Sequence, residues 1–253
     1  MKKAVIVTGG GSGIGRCLCR YFALKGWMVC AVDISMDKVQ KTVEEIALHN
    51  PDAFAIGADI RNPDNVREMV ERCLERFGRI DALVNNAGVT DKQHRPLFDM
   101  PYDVWRDIIE TNLTGSFMCL RECAVIMKKQ GGGNMVNITS LLGQRGYTRV
   151  GDTAYGVSKA ALEALTEYAS SELKDLRINV NSTYPGVMVN TGFFDYLSEE
   201  DRRGLESPEI MDELVYVLSS LEPGELTGRS LCAKTWKDDP GLMELYRKYI
   251  KFK

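Results

Sequence analysis

The stretch AYGVSK at residues 154–159 sets Tyr155 and Lys159 four positions apart, with nothing larger than valine between them. On a helix that spacing stands a phenol and an ammonium on the same face. A free tyrosine titrates near ~10 and is a poor base at neutrality. An ammonium beside it favours the phenolate and lowers that value. Tyr155 could then take a proton from an alcohol or give one to a carbonyl. The competing reading is an ordinary pair on a solvated helix face. Ser140 ends the run NMVNITS. Its hydroxyl could hold a substrate oxygen and steady a developing alkoxide, or simply cap a turn. Asn112, in TNLTG, reads on sequence alone as a polar residue breaking a helix.

Elements must bring these groups together. Short apolar runs alternate with helical stretches along the whole chain. Runs at 4–10, 27–33, 53–59, 79–88, 134–140, 177–186 and 228–233 read as strands. Helices are expected over 14–25, 37–48, 63–77, 101–111, 112–129, 155–174 and 208–221. Asn62-Pro63 and Ser207-Pro208 supply a cap followed by proline at the first helical position. Continuous apolar strands alternating with helices predict a parallel sheet covered on both faces. With no Pro/Ser-rich linker and no repeat, one doubly wound α/β domain over 1–253 is the economical reading. Ligands in such sheets bind at the carboxyl ends of the strands. The unusual segments TGGGSGIG, NNAG, NITS and TYPG all follow strand runs.

TGGGSGIG (8–15) falls between the first strand and the first helix. Gly9, Gly13 and Gly15 suit a tight turn, close backbone approach and helix packing. The helix N-terminus, with Ser12 and Ile14, offers free N–H groups to a phosphate. Its spacing is looser than the usual dinucleotide fingerprint. Asp33 closes the second strand, 18 residues beyond Gly15. A carboxylate there accepts from both ribose hydroxyls and repels a 2′-phosphate, favouring NAD over NADP. No arginine stands at 34 or 35 to rescue that phosphate. A strand-end aspartate capping the next turn is the alternative. Asp59, followed by Ile60, is a candidate acceptor for an adenine amino group or an ordinary turn residue.

Composition excludes other classes. Hydrophobic residues make up 44% of the chain and charged residues 26%, the balance of a soluble globular protein. A net charge of −3 gives no general reason to bind nucleic acid. No apolar run approaches the roughly 20 residues of a membrane span. The N-terminal apolar stretch is too short for a secretory signal, so a cytoplasmic protein is expected. Seven cysteines without a CxxC read as buried reduced thiols, and two histidines with no ligand spacing predict no metal.

In their order and spacing, TGGGSGIG, Asp33, Asp59, NNAG (85–88), Asn112, Ser140, YGVSK and PG (185–186) resemble the short-chain dehydrogenase/reductase (SDR) family over about residues 3–232. The resemblance implies a seven-stranded Rossmann-type sheet, a nicotinamide cofactor, and hydride transfer to or from an alcohol or carbonyl carbon. It also implies a homodimer or homotetramer. It makes Lys159 a binder of the nicotinamide ribose, and Asn112 the holder of a water that links the lysine to solvent. Asn86, Ala87 and Gly88 would lie beside the adenosine ribose. After Pro185 and Gly186, Val187 or Met188 would meet the carboxamide and Thr191 the phosphates.

The chain departs from the family in places. Ser140 and Tyr155 are 15 residues apart, two more than is common, and the extra pair falls in 147–152. Thr191 comes one residue late. The lid segment 192–206 is short. The extension 234–253 has Leu242, Leu245, Tyr246, Tyr249 and Ile250 at helical spacing. An amphipathic helix at 241–251 closing the substrate site is one expectation, with packing on the same or a neighbouring subunit the more economical one. His94, Arg95, Gln144, Arg145 and Arg149 lie in loops expected near the substrate. They would suit an anionic or polyhydroxylated molecule, or be merely solvated. The leading expectation is an NAD(H)-dependent oxidoreductase acting on a secondary alcohol or ketone, a CH–OH donor, with Tyr155 as general acid/base. Alternatives are a 3-oxoacyl thioester (acyl-carrier-protein) reductase, which usually takes NADPH, and a non-catalytic nucleotide sensor.

Overall fold

The computed structural model describes residues 1–47 and 50–251. Leu48, the last residue of the helix expected over 37–48, and the final two residues of the extension lie outside them. Among the described residues seven strands form one parallel sheet: β1 (Ala4–Thr8), β2 (Met28–Asp33), β3 (Phe54–Gly57), β4 (Ala82–Asn85), β5 (Gly133–Ile138), β6 (Ile178–Tyr184) and β7 (Ser230–Cys232). Their order is β3-β2-β1-β4-β5-β6-β7. The order reverses between β1 and β4, so the crevice for a ligand opens there. The helices are α1 (Gly13–Leu24), α2 (Met36–Ala47), α3 (Pro63–Phe77), α4 (Tyr102–Ile109), α5 (Ser116–Gln130), α6 (Thr153–Leu173), α7 (Glu199–Arg202), α8 (Asp212–Ser220) and α9 (Pro240–Tyr246).

Strand residues alternate between two apolar layers, which is why each run reads as continuously apolar. Val5 and Val7 pack with Val39 and Val43 of α2, Phe22 of α1 and Leu214 and Tyr216 of α8. Ile6 faces the other way, with Met69 and Cys73 of α3, and Cys119 and Met127 of α5. The cysteines of the described residues are unpaired and five are buried. Asn62 caps α3 as expected, its side chain accepting from the Asp64 and Asn65 amides.

Two expectations need correction. The helix does not break at Asn112. A π-helical segment, Glu110–Gly115, joins α4 to α5, so the chain widens by one backbone bond and continues. The C-terminal extension does not close the cleft. Trp236 and Leu242 are buried with α8, and Leu245, Tyr246, Tyr249 and Ile250 pack against the same layer. The regular helix is short, and its continuation from Arg247 to Lys251 is π-helical. The apolar stripe found an apolar layer of its own chain to cover.

Candidate active site

The glycine turn after β1 is shaped by its own packing. Gly9 and Gly13 have φ of +66° and +51°, a region glycine enters without cost. A Cβ on Gly15 would collide with the Gly9 carbonyl and the Asn86 side chain. Asn86 Nδ2 donates to the carbonyls of Thr8 (2.9 Å) and Gly9 (3.2 Å), and the Thr8 hydroxyl accepts from the Asn86 and Ala87 amides. NNAG thus ties the end of β4 to the end of β1. Ser12 stands at the N-cap of α1 but its side chain makes no cap bond. The first-turn amides are left without capping partners beside a cleft that Gly9, Ser12, Gly13 and Ile14 line. Thr191 faces them, its Cγ2 3.2 Å from where a Gly13 Cβ would stand. An uncapped helix end against a glycine cradle fits a dinucleotide pyrophosphate.

The cleft has a volume of about 930 Å³ and runs along the carboxyl ends of the strands. Its lining includes Asp33, Asp59, Ile60, Asn86, Ala87, Gly88, Pro185, Gly186, Met188 and Thr191. Gly15 lies behind the wall as packing. The Asp33 carboxylate accepts from the amides of Gly11 and Ser35, both at 3.0 Å. It therefore does cap its turn, while still facing the cleft. Lys38, one turn along α2, lines the same end. The sequence offered no signal for it beyond helical spacing. Both Asp59 oxygens are held by Arg61, which also reaches Asp107. The Arg61 guanidinium holds the Asp59 carboxyl below its ordinary range.

Ser140, Tyr155 and Lys159 meet at the other end. Ser140 caps a 3₁₀ turn, accepting from the Leu142 amide, and it lines the cleft with Tyr155 and Lys159. Lys159 Nζ donates to the Ile138 carbonyl at 2.8 Å. Burial draws its ammonium down to about 8, with Glu163 pulling the other way. Tyr155 is half-buried and lines the cleft. Burial pushes the phenol up to about 12 and Asp152 adds to this, while the Ser140 hydroxyl and Arg149 oppose it. The expectation that Lys159 would depress Tyr155 fails here. Desolvation is the largest influence on the phenol, and Lys159, its own charge weakened by burial, is not among the groups that oppose it.

Asn112 is fully buried and stands behind the cleft wall. Its amide clamps both backbone groups of Val89, at 2.8 and 2.9 Å, and donates to the Ser158 hydroxyl at 2.9 Å. His94 lines the cleft. Gln144 and Arg145 do not: the 3₁₀ turn Leu141–Gly143 carries them into a neighbouring hollow with Tyr147 and Ser230. There Gln144 donates to Glu163 at 2.7 Å. Thr148 and Arg149 reach the cleft in their place, and Phe193 crosses the Tyr155 ring edge-on at 5.7 Å.

Residues 3–202 match the family model described as short chain dehydrogenase. The chain belongs to the short-chain dehydrogenase family. As a member it is an oxidoreductase built on the family's Rossmann-type fold. It is 38% identical over 192 residues to a 3-oxoacyl-acyl-carrier-protein reductase, FabG, of Staphylococcus epidermidis, covering 75% of this chain and 77% of that one. A crystal structure of a short-chain type dehydrogenase/reductase from Mycobacterium marinum superposes with a TM-score of 0.83 at 28% identity, over 91% of this chain and 93% of the other. A structure described as ElxO with NADP bound aligns with a TM-score of 0.81 at 26% identity, over 92% and 97%. No helix of the described residues is long and apolar enough to cross a membrane.

Proposed function

We propose that this dehydrogenase transfers a hydride between NAD(H) and a secondary alcohol or ketone, with Tyr155 as general acid/base. The observation that carries this is that Ser140, Tyr155 and Lys159 line one cleft, the lysine one helical turn beyond the tyrosine and held by the Ile138 carbonyl, and that the cleft begins at an uncapped helix end. A bound nicotinamide dinucleotide supplies or accepts the hydride. The amides opening α1 would hold its pyrophosphate, Asp33 its adenosine ribose and Lys159 its nicotinamide ribose. Val187 or Met188 would offer backbone to the carboxamide. Ser140 then fixes the substrate oxygen, and Tyr155 gives that oxygen a proton during reduction or removes one during oxidation. Asn112 holds Val89 and Ser158 in place around the lysine.

Asp33 supports NAD over NADP, since a 2′-phosphate would meet its carboxylate. Lys38, at the same end of the cleft, favours the phosphate, as does the likeness to an NADP-bound structure. The 38% identity to a 3-oxoacyl-acyl-carrier-protein reductase favours a second reading, reduction of a 3-oxoacyl thioester. Exposed Phe117, Val125, Val157 and Tyr168 on α5 and α6 support a homo-oligomer, and unpaired thiols support a reducing cytoplasmic setting.

The test is NADH and NADPH oxidation over ketoses, oxo acids, steroids and acetoacetyl thioesters, with Tyr155→Phe as control. Turnover with NADH that the variant loses by about 10²–10⁴-fold is expected. Preference for NADPH with acetoacetyl thioester would install the second reading.

A further inference from the structure

The lengthened loop between Ser140 and Tyr155 builds a site at the substrate end of the cleft. Its centre is Asp152, whose side chain is only 2% exposed. One oxygen receives the Arg149 Nε, and the other stands 3.2 Å from His94 Nδ1. The two side chains arrive from segments 55 residues apart in the chain and are bound to one carboxylate.

The backbone fixes that meeting. Gly151 has φ +85°, and the His94 carbonyl fills the space its Cβ would need. His94 itself sits at φ +48°, a left-handed conformation held only where its surroundings over-determine it. Asp91 does so: its carboxylate accepts from the amides of Gln93 (3.1 Å) and Arg95 (3.0 Å), and its carbonyl from His94 (3.1 Å). Tyr196 closes over the imidazole edge-on at 4.7 Å.

These bonds leave donors over. Arg149 uses only Nε, so both terminal amines have no partner among the described residues. His94 Nε2 is buried with no hydrogen-bond partner there. Both residues line the cleft with Tyr155, and Lys92 lines it too. Of the carboxylates at this end, Asp152 is engaged by Arg149 and His94, and Asp195 by Arg202. Lys92 is the cation of this group that no carboxylate of the described residues pairs.

We propose that Arg149 and His94 form a carboxylate-binding site, so that the substrate is an oxo acid or the corresponding hydroxy acid. The inference rests on the hydride-transfer reading above. The guanidinium fork takes the carboxylate through its two free amines, and His94, its Nδ1 committed to Asp152, donates from Nε2 when it carries both ring protons. Asp152 holds both side chains at the N-cap of the helix that carries Tyr155, so the acid end and the reacting carbon are set by one element.

Steady-state reduction of 2-, 3- and 4-oxo acids, each paired with its methyl ester, tests this with both NADH and NADPH. Wild-type enzyme is expected to prefer one acid over its ester. In Arg149→Gln and Arg149→Lys, the acid-to-ester ratio of kcat/KM should fall on the order of 30-fold, through KM, as a charged hydrogen-bond pair is lost. Tyr155→Phe should instead remove turnover of acid and ester alike. Equal turnover of acids and esters, or an Arg149 loss shared equally by both, would overturn the carboxylate site and leave hydride transfer standing. An absence of turnover on every carbonyl with either cofactor would sink the hydride-transfer reading and this inference with it.

Discussion

Tyr155 carries a phenol whose proton is harder to remove in the folded chain than in water, while Lys159 carries an ammonium that is easier to discharge. In reduction the phenol must arrive protonated, and it does so at every working pH. The group that titrates within reach is Lys159, drawn down to about 8 by burial. Raising the pH through that value removes its positive charge, and with it the charge-assisted hydrogen bond proposed for the nicotinamide ribose. Ketone reduction is therefore expected to be flat below pH 8 and to fall above it with a one-proton slope. A kcat/KM profile measured from pH 6 to 11 checks this; a profile flat to the top of that range would leave the limb to Tyr155, whose phenol lies at about 12. The pair was legible because a helical turn puts i and i+4 together whatever else the chain does. The His94–Asp152–Arg149 cluster was less legible. Arg149 and Asp152 are three apart, but the histidine that shares their carboxylate is 58 residues away from it. Gln144 and Arg145 were misassigned because a single 3₁₀ turn after Ser140 redirects the chain, and nothing in their types announces it.

Helix α6 grips the end of β5 residue by residue. Lys159 binds the Ile138 carbonyl and Glu163, one turn further on, accepts from the Thr139 hydroxyl at 2.5 Å. Two turns of the helix thus hold the two residues before Ser140, which sets that residue against Tyr155. Glu163 also accepts from Gln144, Ser182 and Ser230. It is the acidic counter-charge nearest Lys159 along the helix. Glu163→Gln removes that charge, so the lysine should discharge at still lower pH. The falling limb of the reduction profile is expected to move below pH 8, with kcat/KM at neutrality down by roughly 10-fold. An unmoved limb would mean Glu163 only packs. The glycine turn makes a second expectation at this scale. Gly15→Ala drives a methyl into the Gly9 carbonyl, so NADH affinity and stability should both drop, read by fluorescence titration and thermal unfolding. Strand and helix order was readable from apolar periodicity. The π segment at Asn112 was not, because a one-residue widening leaves the apolar pattern nearly intact.

Across the whole molecule, the layer formed by α1, α2 and α8 is finished by the C-terminal extension rather than left to solvent. Trp236 stacks edge-on with Tyr246 at 5.7 Å, Lys237 pairs with Glu213, and Lys248 with Glu225. Trp236→Ala should cost about 3–5 kcal/mol in urea unfolding, with no loss of NADH affinity in the protein that remains folded. The extension's apolar spacing was visible in the sequence, but which apolar surface it would meet depends on where α8 lies, and that is a property of the assembled sheet. The same layer buries a charge at the start of α8. Asp212 is buried, with one carboxyl oxygen lacking a partner among the described residues. Desolvation pushes its carboxyl up to about 7, Glu209 and Glu213 add to this, and Arg20 on α1 opposes it. The folded chain therefore keeps a proton here that the unfolded chain releases near ~4. Stability from this group is greatest below that lower value and is lost as the pH rises through 7. Asp212→Asn fixes the neutral form, so its advantage over the wild type should grow from pH 4 to pH 7 and then level. Urea unfolding at pH 5 and pH 8 should find the gain larger at pH 8, on the order of 2 kcal/mol once Arg20 and residual solvent are allowed for. A gain that shrinks with rising pH would mean that Asp212 holds α8 as an ionised cap. The dehydrogenase would then be stabilised by the charge that its burial argues against.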